Sequence, residues 1–326
     1  MISIIVPALN EGEGIETFYN ETLKELINLT KDQPAGRQGY ELIFVDDGST
    51  DDTLSVLKSI ARENKHVRVY SFKRNRGKAD ALALGFSVAK GDLLITMDAD
   101  LQDKPSELHK FLKKQKEGAD VVVGWRKERK DKSKMVVISK FFNYLNRVLF
   151  GLKLHDIDCG FKLLTKEAAN SLHIYSGLYR FIPLLLHQQG FIVEEVIVEH
   201  DTRKFGQSKY GFSKVFKNIP DLFTVIFLLK FGKRPLHFFG FIGIFLMIIG
   251  VAMLSYLTFI HYAFGERVGT RPILFVGILF IISGLQSFFT GFLADLLINL
   301  SHTSRQQQEY TYDFPLKYSS DKATVE

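Results

Sequence analysis

The sequence predicts an α/β domain with a mostly parallel sheet, followed by interfacial helices and two membrane-spanning helices. Three observations carry this. Short apolar runs alternate with helical patterns through the first 125 residues, the signature of an α/β domain. Polar clusters stand at the carboxyl ends of three of these runs, where the ligands of such sheets bind. Two uncharged runs come late in the chain, Leu236 to Ile260 with 25 residues and Pro272 to Leu293 with 22. Each is long enough to cross a hydrocarbon layer of ~30 Å as a helix.

Ile2 to Val6, Glu41 to Val45, Val67 to Ser71, Leu93 to Met97 and Val121 to Val123 read as strands, and Thr17 to Leu29, Asp52 to Glu63, Lys78 to Lys90 and Pro105 to Glu117 as helices. Lys31 to Gly39, with Pro34 and two glycines, reads as a surface loop. From Val136 to Phe150, Val137, Phe141, Tyr144, Leu145 and Val148 recur at helical spacing, so this helix covers the sheet or lines an acceptor groove. Phe191 to Val198 reads as a further strand. Phe212, Val215, Phe216, Ile219, Leu222, Phe223 and Ile226 form an apolar stripe that Pro220 splits into two helices lying in the membrane interface. The expected division is a cytoplasmic domain over 1–210, interfacial amphipathic helices over 211–235, a two-helix transmembrane domain over 236–300 and a polar, flexible tail over 301–326. In the second span Ser283, Ser287 and Gly291 recur every four residues, a small-residue face that serves either the first span or another subunit as a homo-oligomer contact.

The 326 residues are 46% hydrophobic, ample for a core, and carry a net charge of +6. That charge is concentrated. Arg126 to Lys134 holds six basic residues against Glu128 and Asp131, and Arg203 to Lys217 holds five with no acid between them. A membrane surface or a phosphorylated lipid explains these patches better than nucleic acid does, because the second runs almost directly into the first span. The single cysteine, Cys159, excludes an internal disulfide and a thiolate metal cluster. Met1 to Val6 lacks a basic leader and is cut short by Pro7, so no signal peptide is expected. Lys230, Lys233 and Arg234 before the first span put the large domain and both termini in the cytoplasm, although Arg267 and Arg271 in the connecting loop weaken that bias.

Asp98-Ala99-Asp100 closes the apolar run Leu93 to Met97 and is followed by Leu101-Gln102-Asp103. Two carboxylates at the end of a buried strand suit a hard divalent cation that shares its oxygen ligands with substrate phosphates. The plainer reading is that they cap the helix starting at Pro105. Lys78, at a helix start after Gly77, is placed either to add charge near a phosphate or to be solvated.

Taken in order, Val6-Pro7-Ala8-Leu9-Asn10-Glu11, Val45-Asp46-Asp47-Gly48-Ser49-Thr50-Asp51, Asn75-Arg76-Gly77-Lys78-Ala79 and Met97 to Asp103 resemble the nucleotide-sugar domain of family 2 glycosyltransferases, a glycosyltransferase A-type fold. Gly124-Trp125-Arg126, Asp156-Ile157-Asp158-Cys159-Gly160-Phe161 and Gly206-Gln207-Ser208-Lys209-Tyr210 are similar to the polyprenyl-phosphate branch of that family, the dolichol-phosphate mannosyltransferase and bactoprenol glucosyltransferase type. The resemblance covers roughly the first 235 residues. It implies that Pro7, Asn10, Glu11 and Asp46, with Lys78 and Asp98, bind the donor, and that Asp98, Asp100 and Gln102 surround Mg²⁺ or Mn²⁺. Asp100, Asp156 and Arg126 are then the catalytic candidates. A lipid phosphate acceptor has its second pKa near ~6 and needs no general base, only positive charge to hold it. Arg126, Lys134 and Arg203 supply that charge, and Ser139, Ser208 and Lys209 add contacts by family position. Asp156 falls on the aspartate of the family's Asp-x-x-Ser-Gly-Phe pattern, with Cys159 in place of serine, and is expected to orient an arginine or touch the sugar.

The function this implies is inverting transfer of one sugar from a nucleotide sugar, with a uridine donor favoured over guanosine diphosphate mannose, to a polyprenyl phosphate at the cytoplasmic membrane face. A dinucleotide oxidoreductase fails because Thr17 takes the third glycine position after Gly12-x-Gly14. A processive polysaccharide synthase lacks support because its Gln-x-x-Arg-Trp motif is absent. A non-catalytic lipid-phosphate-binding scaffold is the remaining rival.

Overall fold

A computed structural model of the chain describes residues 1–31, 39–127, 151–201, 223–232 and 234–322. The chain divides into two compact units, Met1–Leu222 and Phe223–Glu326.

The first unit is built on a seven-stranded sheet: β1 (Ile2–Ala8), β2 (Tyr40–Asp46), β3 (Val67–Ser71), β4 (Leu93–Thr96), β5 (Val121–Arg126), β6 (Lys162–Thr165) and β7 (Val193–Val198). Their order is β3-β2-β1-β4-β6-β5-β7. Between them lie α1 (Gly12–Thr30), α2 (Thr53–Glu63), α3 (Lys78–Val88), α4 (Leu108–Lys116), α5 (Lys166–Asn170) and α6 (Ile182–Gln188). β1 to β4 are parallel, as the alternation predicts. β6 is the departure: it runs antiparallel to both β4 and β5 and joins the two halves of the sheet.

Burial explains why these runs are strands. Ile4, Ile5 and Val6 of β1 and Leu42 to Val45 of β2 are inaccessible on both faces, as expected of parallel strands covered by helices. Helix α3 lies so close to β1 that a Cβ on Gly85 would stand 2.3 Å from Ile5 Cγ2. Phe18 meets Phe44 edge-on, and Phe111 stacks on Phe161 with centroids 4.1 Å apart, so aromatic pairs anchor the covering helices to the sheet. Buried Glu41 ties the first three strands together. It accepts from Ser3 Oγ at 2.7 Å, Arg68 at 2.9 Å and the Lys90 amide at 2.6 Å.

In the second unit, residues 223–231 form α7. Its Phe227 and Phe231 pack against Phe238 of α8 (Pro235–Phe264), with centroids 5.5 and 4.9 Å apart. Proline opens both α8 and α9 (Pro272–Lys322), and Gly265 closes α8 in the left-handed conformation, returning its N–H to the His261 carbonyl at 3.0 Å. Pro235–Phe264 and Pro272–Ile298 are both long and apolar enough to cross a membrane, and Phe241, Phe259 and Leu279 stand exposed on their outer surface. Helix α9 continues to Lys322 through the segment expected to be a flexible tail, with Pro315 inside it.

Glycine decides how the two apolar helices meet. A Cβ on Gly243 would lie 2.6 Å from the Gly284 carbonyl oxygen, one on Gly284 would lie 2.6 Å from that of Gly243, and one on Gly250 would lie 2.7 Å from that of Gly277. Ser287 donates to the Phe239 carbonyl at 3.0 Å, and Gly291 rests on Phe239 and Leu236. Of the two uses open to the Ser283, Ser287 and Gly291 face, Ser287 and Gly291 are thus engaged by α8. Gly284→Leu should force the backbones apart and cost about 1–3 kcal/mol, read as a lower unfolding midpoint in detergent. Gly269→Leu, where a Cβ meets nothing, should leave the midpoint unchanged.

Candidate active site

Because β2, β1 and β4 are adjacent and parallel, their carboxyl ends open on one crevice. The loop after β1 is laced to the loop after β2. Asn10 takes a positive φ of 52°, which asparagine tolerates. Its Oδ1 accepts from the Thr50 amide at 2.8 Å and its own amide donates to Ser49 Oγ at 2.9 Å, while the Glu11 amide donates to Thr53 Oγ1 at 2.9 Å. Pro7, Asn10 and Glu11 are half-buried along this wall. Asp46 is buried, accepting from the Ser49 amide at 3.1 Å and Ser71 Oγ at 2.7 Å, so it shapes the wall from beneath.

Asp47 does comparable work one residue on. Its carboxylate accepts the Arg76 amide at 2.7 Å and the Gly77 amide at 3.0 Å, fixing the turn that starts α3. Gly48 permits this approach: its φ is +72° and a Cβ would stand 2.5 Å from the Arg74 carbonyl carbon. The turn delivers Lys78, whose Nζ donates to Asp98 Oδ1 at 2.5 Å. Burial pushes the Asp98 carboxyl up, but Lys78, Lys162 and Arg126 together outweigh it and hold it below the ordinary carboxylate range.

The metal-motif loop follows β4. Asp100 is half-buried and accepts the Gln102 amide at 3.2 Å, and Gln102 Nε2 donates to the Asp201 carbonyl at 3.2 Å. Between them Leu101 is buried at a φ of +59°, a conformation that costs a bulky residue about 1–3 kcal/mol. Gly160 backs the loop; a Cβ there would lie 2.6 Å from Asp98 Oδ2. Among the described residues no three His, Cys, Asp or Glu side chains gather as a metal cluster. Two carboxylates and an amide oxygen nevertheless fit a hard cation that completes its shell with diphosphate oxygens.

Across the crevice Arg126, at the end of β5, grips Asp156 with both arms of its fork, Nε to Oδ2 at 2.7 Å and an Nη to Oδ1 at 3.0 Å. Side-chain exposures of 13% and 4% make this a buried pair. Burial works against the guanidinium charge, but the carboxylates of Asp156 and Asp103 outweigh it and push its pKa well up. Of the two roles expected for Asp156, orienting an arginine is the one this geometry displays. Burial pushes the Cys159 thiol up to about 12, so it stays protonated and inert at neutral pH.

Lys134, Ser139, Arg203, Ser208 and Lys209 lie outside the described residues, as do the helix expected over 136–150 and most of the interfacial segment. Three residues at the site escaped the sequence reading. Lys162 on β6 is 4% exposed and donates to the Cys159 carbonyl; burial, with Lys78 nearby, lowers its pKa against the pull of Asp158 and Asp98. Tyr179 and Arg180 lie in a 3-10 turn, Ser176–Phe181. Lys78 Nζ and the Arg180 guanidinium stand 5.5 and 5.4 Å from the Tyr179 ring. A lysine inside the apolar run Phe161 to Leu164 was the available signal for Lys162.

A mixed α/β sheet with a carboxylate motif at the crevice edge is the architecture of the glycosyltransferase A-type fold. The chain belongs to glycosyl transferase family 2, whose family model matches residues 3–172. It is 34% identical over 303 residues, 91% of this chain and 87% of the other, to dodecaprenyl-phosphate galacturonate synthase of Rhizobium johnstonii. It is 30% identical over 311 residues, 95% and 91% of the two chains, to undecaprenyl-phosphate 4-deoxy-4-formamido-L-arabinose transferase of Klebsiella pneumoniae. Among solved structures, glucosyl-3-phosphoglycerate synthase from Mycobacterium tuberculosis superposes with a TM-score of 0.51 over 70% of this chain and 79% of that one, at 21% identity. A complex of that enzyme with Mn²⁺, uridine diphosphate and glucosyl-3-phosphoglycerate gives 0.50 with the same coverage and identity. This likeness establishes the fold.

Proposed function

We propose that the protein transfers one sugar from a nucleotide-sugar donor to the phosphate of a polyprenyl phosphate, inverting the anomeric carbon, at the cytoplasmic face of the membrane. The observation that carries this reading is the meeting, in one crevice, of the Lys78–Asp98 pair beside Asp100 and the fork-held Arg126. It is supported by the relatives named above, two of which are polyprenyl-phosphate sugar enzymes, and by two helices long and apolar enough to span a bilayer.

Pro7, Asn10, Glu11 and the wall that Asp46 supports take the base and ribose, with a uridine donor favoured and guanosine diphosphate mannose the alternative. A divalent cation, Mg²⁺ or Mn²⁺, held by Asp98, Asp100 and Gln102 supplies Lewis-acid neutralisation of the leaving diphosphate. Lys78 orients Asp98 and adds positive charge beside the phosphates. An acceptor phosphate oxygen forms the new bond to the anomeric carbon as the bond to the diphosphate breaks, releasing nucleoside diphosphate. Arg126, held by Asp156, binds that acceptor phosphate together with Lys134, Ser139, Arg203, Ser208 and Lys209. The catalytic domain and both termini are cytoplasmic, and the domain boundaries follow the division at 210, 235 and 300.

Full-length protein in detergent, offered a panel of uridine and guanosine diphosphate sugars with undecaprenyl phosphate and Mn²⁺, should yield a lipid heavier by one sugar unit on mass analysis. A ladder of masses would instead mean a processive synthase. No product from any donor would favour the scaffold.

A further inference from the structure

Asp103 and His200 are unused by the proposed reaction, yet both side chains are only 5% exposed and their Oδ1 and Nδ1 atoms face each other at 3.5 Å. Beyond this contact neither atom has a hydrogen-bond partner among the described residues. They sit where the metal-motif loop meets the chain leaving β7. Asp103 and His200 form an isolated antiparallel bridge, and the Asp201 amide donates to the Gln102 carbonyl at 3.0 Å. Gln102 Nε2 returns a bond to the Asp201 carbonyl, and Lys104 reaches Glu199 at 2.6 Å and Asp201 at 3.4 Å. An apolar pair of similar size would avoid the cost of burying two polar side chains, so stability alone does not account for them.

We propose that Asp103 and His200 form a buried latch, a pair of positioning residues that fixes the Asp98–Gln102 loop to the end of β7. The proposal rests on the reading that this loop holds the donor. Arg203, assigned to the acceptor, follows Asp201 by two residues, so the latch sets the donor loop in register with the strand end that leads to the acceptor segment. Such register is worth much in group transfer, because a misplacement of about 1 Å costs up to roughly a hundredfold in rate.

The test is a double-mutant cycle in the full-length protein. Asp103→Leu and His200→Phe should each lower kcat roughly ten- to hundredfold while the Kd for uridine diphosphate with Mn²⁺ changes by less than about threefold. The double variant should be no slower than the slower single variant, since one latch is broken once. Its unfolding midpoint should return toward wild type, because no polar atom is left unpaired. His200→Gln, which keeps a hydrogen-bonding side chain, should recover part of the kcat that His200→Phe loses. A double variant that regains kcat along with its midpoint, or a Gln variant as slow as the Phe one, overturns the latch. Arg203→Ala run alongside separates the two readings: an unchanged acceptor KM there, with coupled latch variants, overturns the acceptor assignment and not the latch.

Discussion

Asp100→Asn is expected to lower turnover roughly a hundred- to a thousandfold, the loss that follows removal of one preorganised stabiliser of transition-state charge. The amide keeps the size of the side chain and can still accept the Gln102 amide bond seen at 3.2 Å. What it loses is the negative charge that makes this position a good ligand for a hard cation. Binding of uridine diphosphate should therefore weaken in Mn²⁺ and change little in chelator. The unfolding midpoint should stay near wild type, because Asp100 is half-buried in a loop at a strand end and not in the core. Undiminished activity in the variant, or in wild type with excess chelator, would remove the metal from the account.

Arg126→Ala should have the largest combined effect on stability and activity. It strands the Asp156 carboxylate, whose side chain is 4% exposed, without its bidentate partner. Breaking a buried pair from one side costs about 3–5 kcal/mol, which thermal unfolding should register directly. Arg126→Lys keeps a charge but not the planar fork, so it should recover part of the stability and little of the acceptor affinity. In both variants the acceptor KM should rise and kcat fall while donor affinity changes little. If donor binding is lost instead, with a normal acceptor KM, Arg126 belongs to the diphosphate side of the crevice.

Most of the fold was legible because parallel strands buried on both faces leave apolar runs, as in Ile4 to Val6 and Leu42 to Val45, and because turn residues punctuate them. β6 was not. It is four residues long, begins with the buried Lys162 and carries only Leu163 and Leu164 as apolar residues, too few to set a period. Its antiparallel direction depends on pairing with β4 and β5, which no local pattern encodes. In the apolar helices two members of the Ser283, Ser287 and Gly291 stripe, Ser287 and Gly291, meet α8. The close backbone contacts run instead through Gly243 and Gly250 against Gly277 and Gly284, spaced by seven on each helix. A stripe on one helix does not name its partner; two stripes with a shared period do.

The candidate site divides the same way. The motif residues at the strand ends could be placed because ligands of such sheets gather there. Lys162, Tyr179 and Arg180 reach the crevice only through the tertiary fold. The pairing of Asp156 with Arg126 likewise joins positions 30 residues apart. The expectation that Asp156 either orients an arginine or touches the sugar came from its place in the family pattern together with charge, since a carboxylate beside a phosphate nucleophile is repelled.

The central claim is that the acceptor phosphate attacks the sugar carbon and the donor diphosphate leaves intact. The most direct measurement is the nucleotide released, resolved by chromatography and paired with the mass of the lipid product in the same reaction. The account predicts nucleoside diphosphate in amounts equal to a lipid carrying one sugar on a single phosphate. Nucleoside monophosphate with a diphosphate-linked lipid would mean that a sugar phosphate is transferred, and would contradict it.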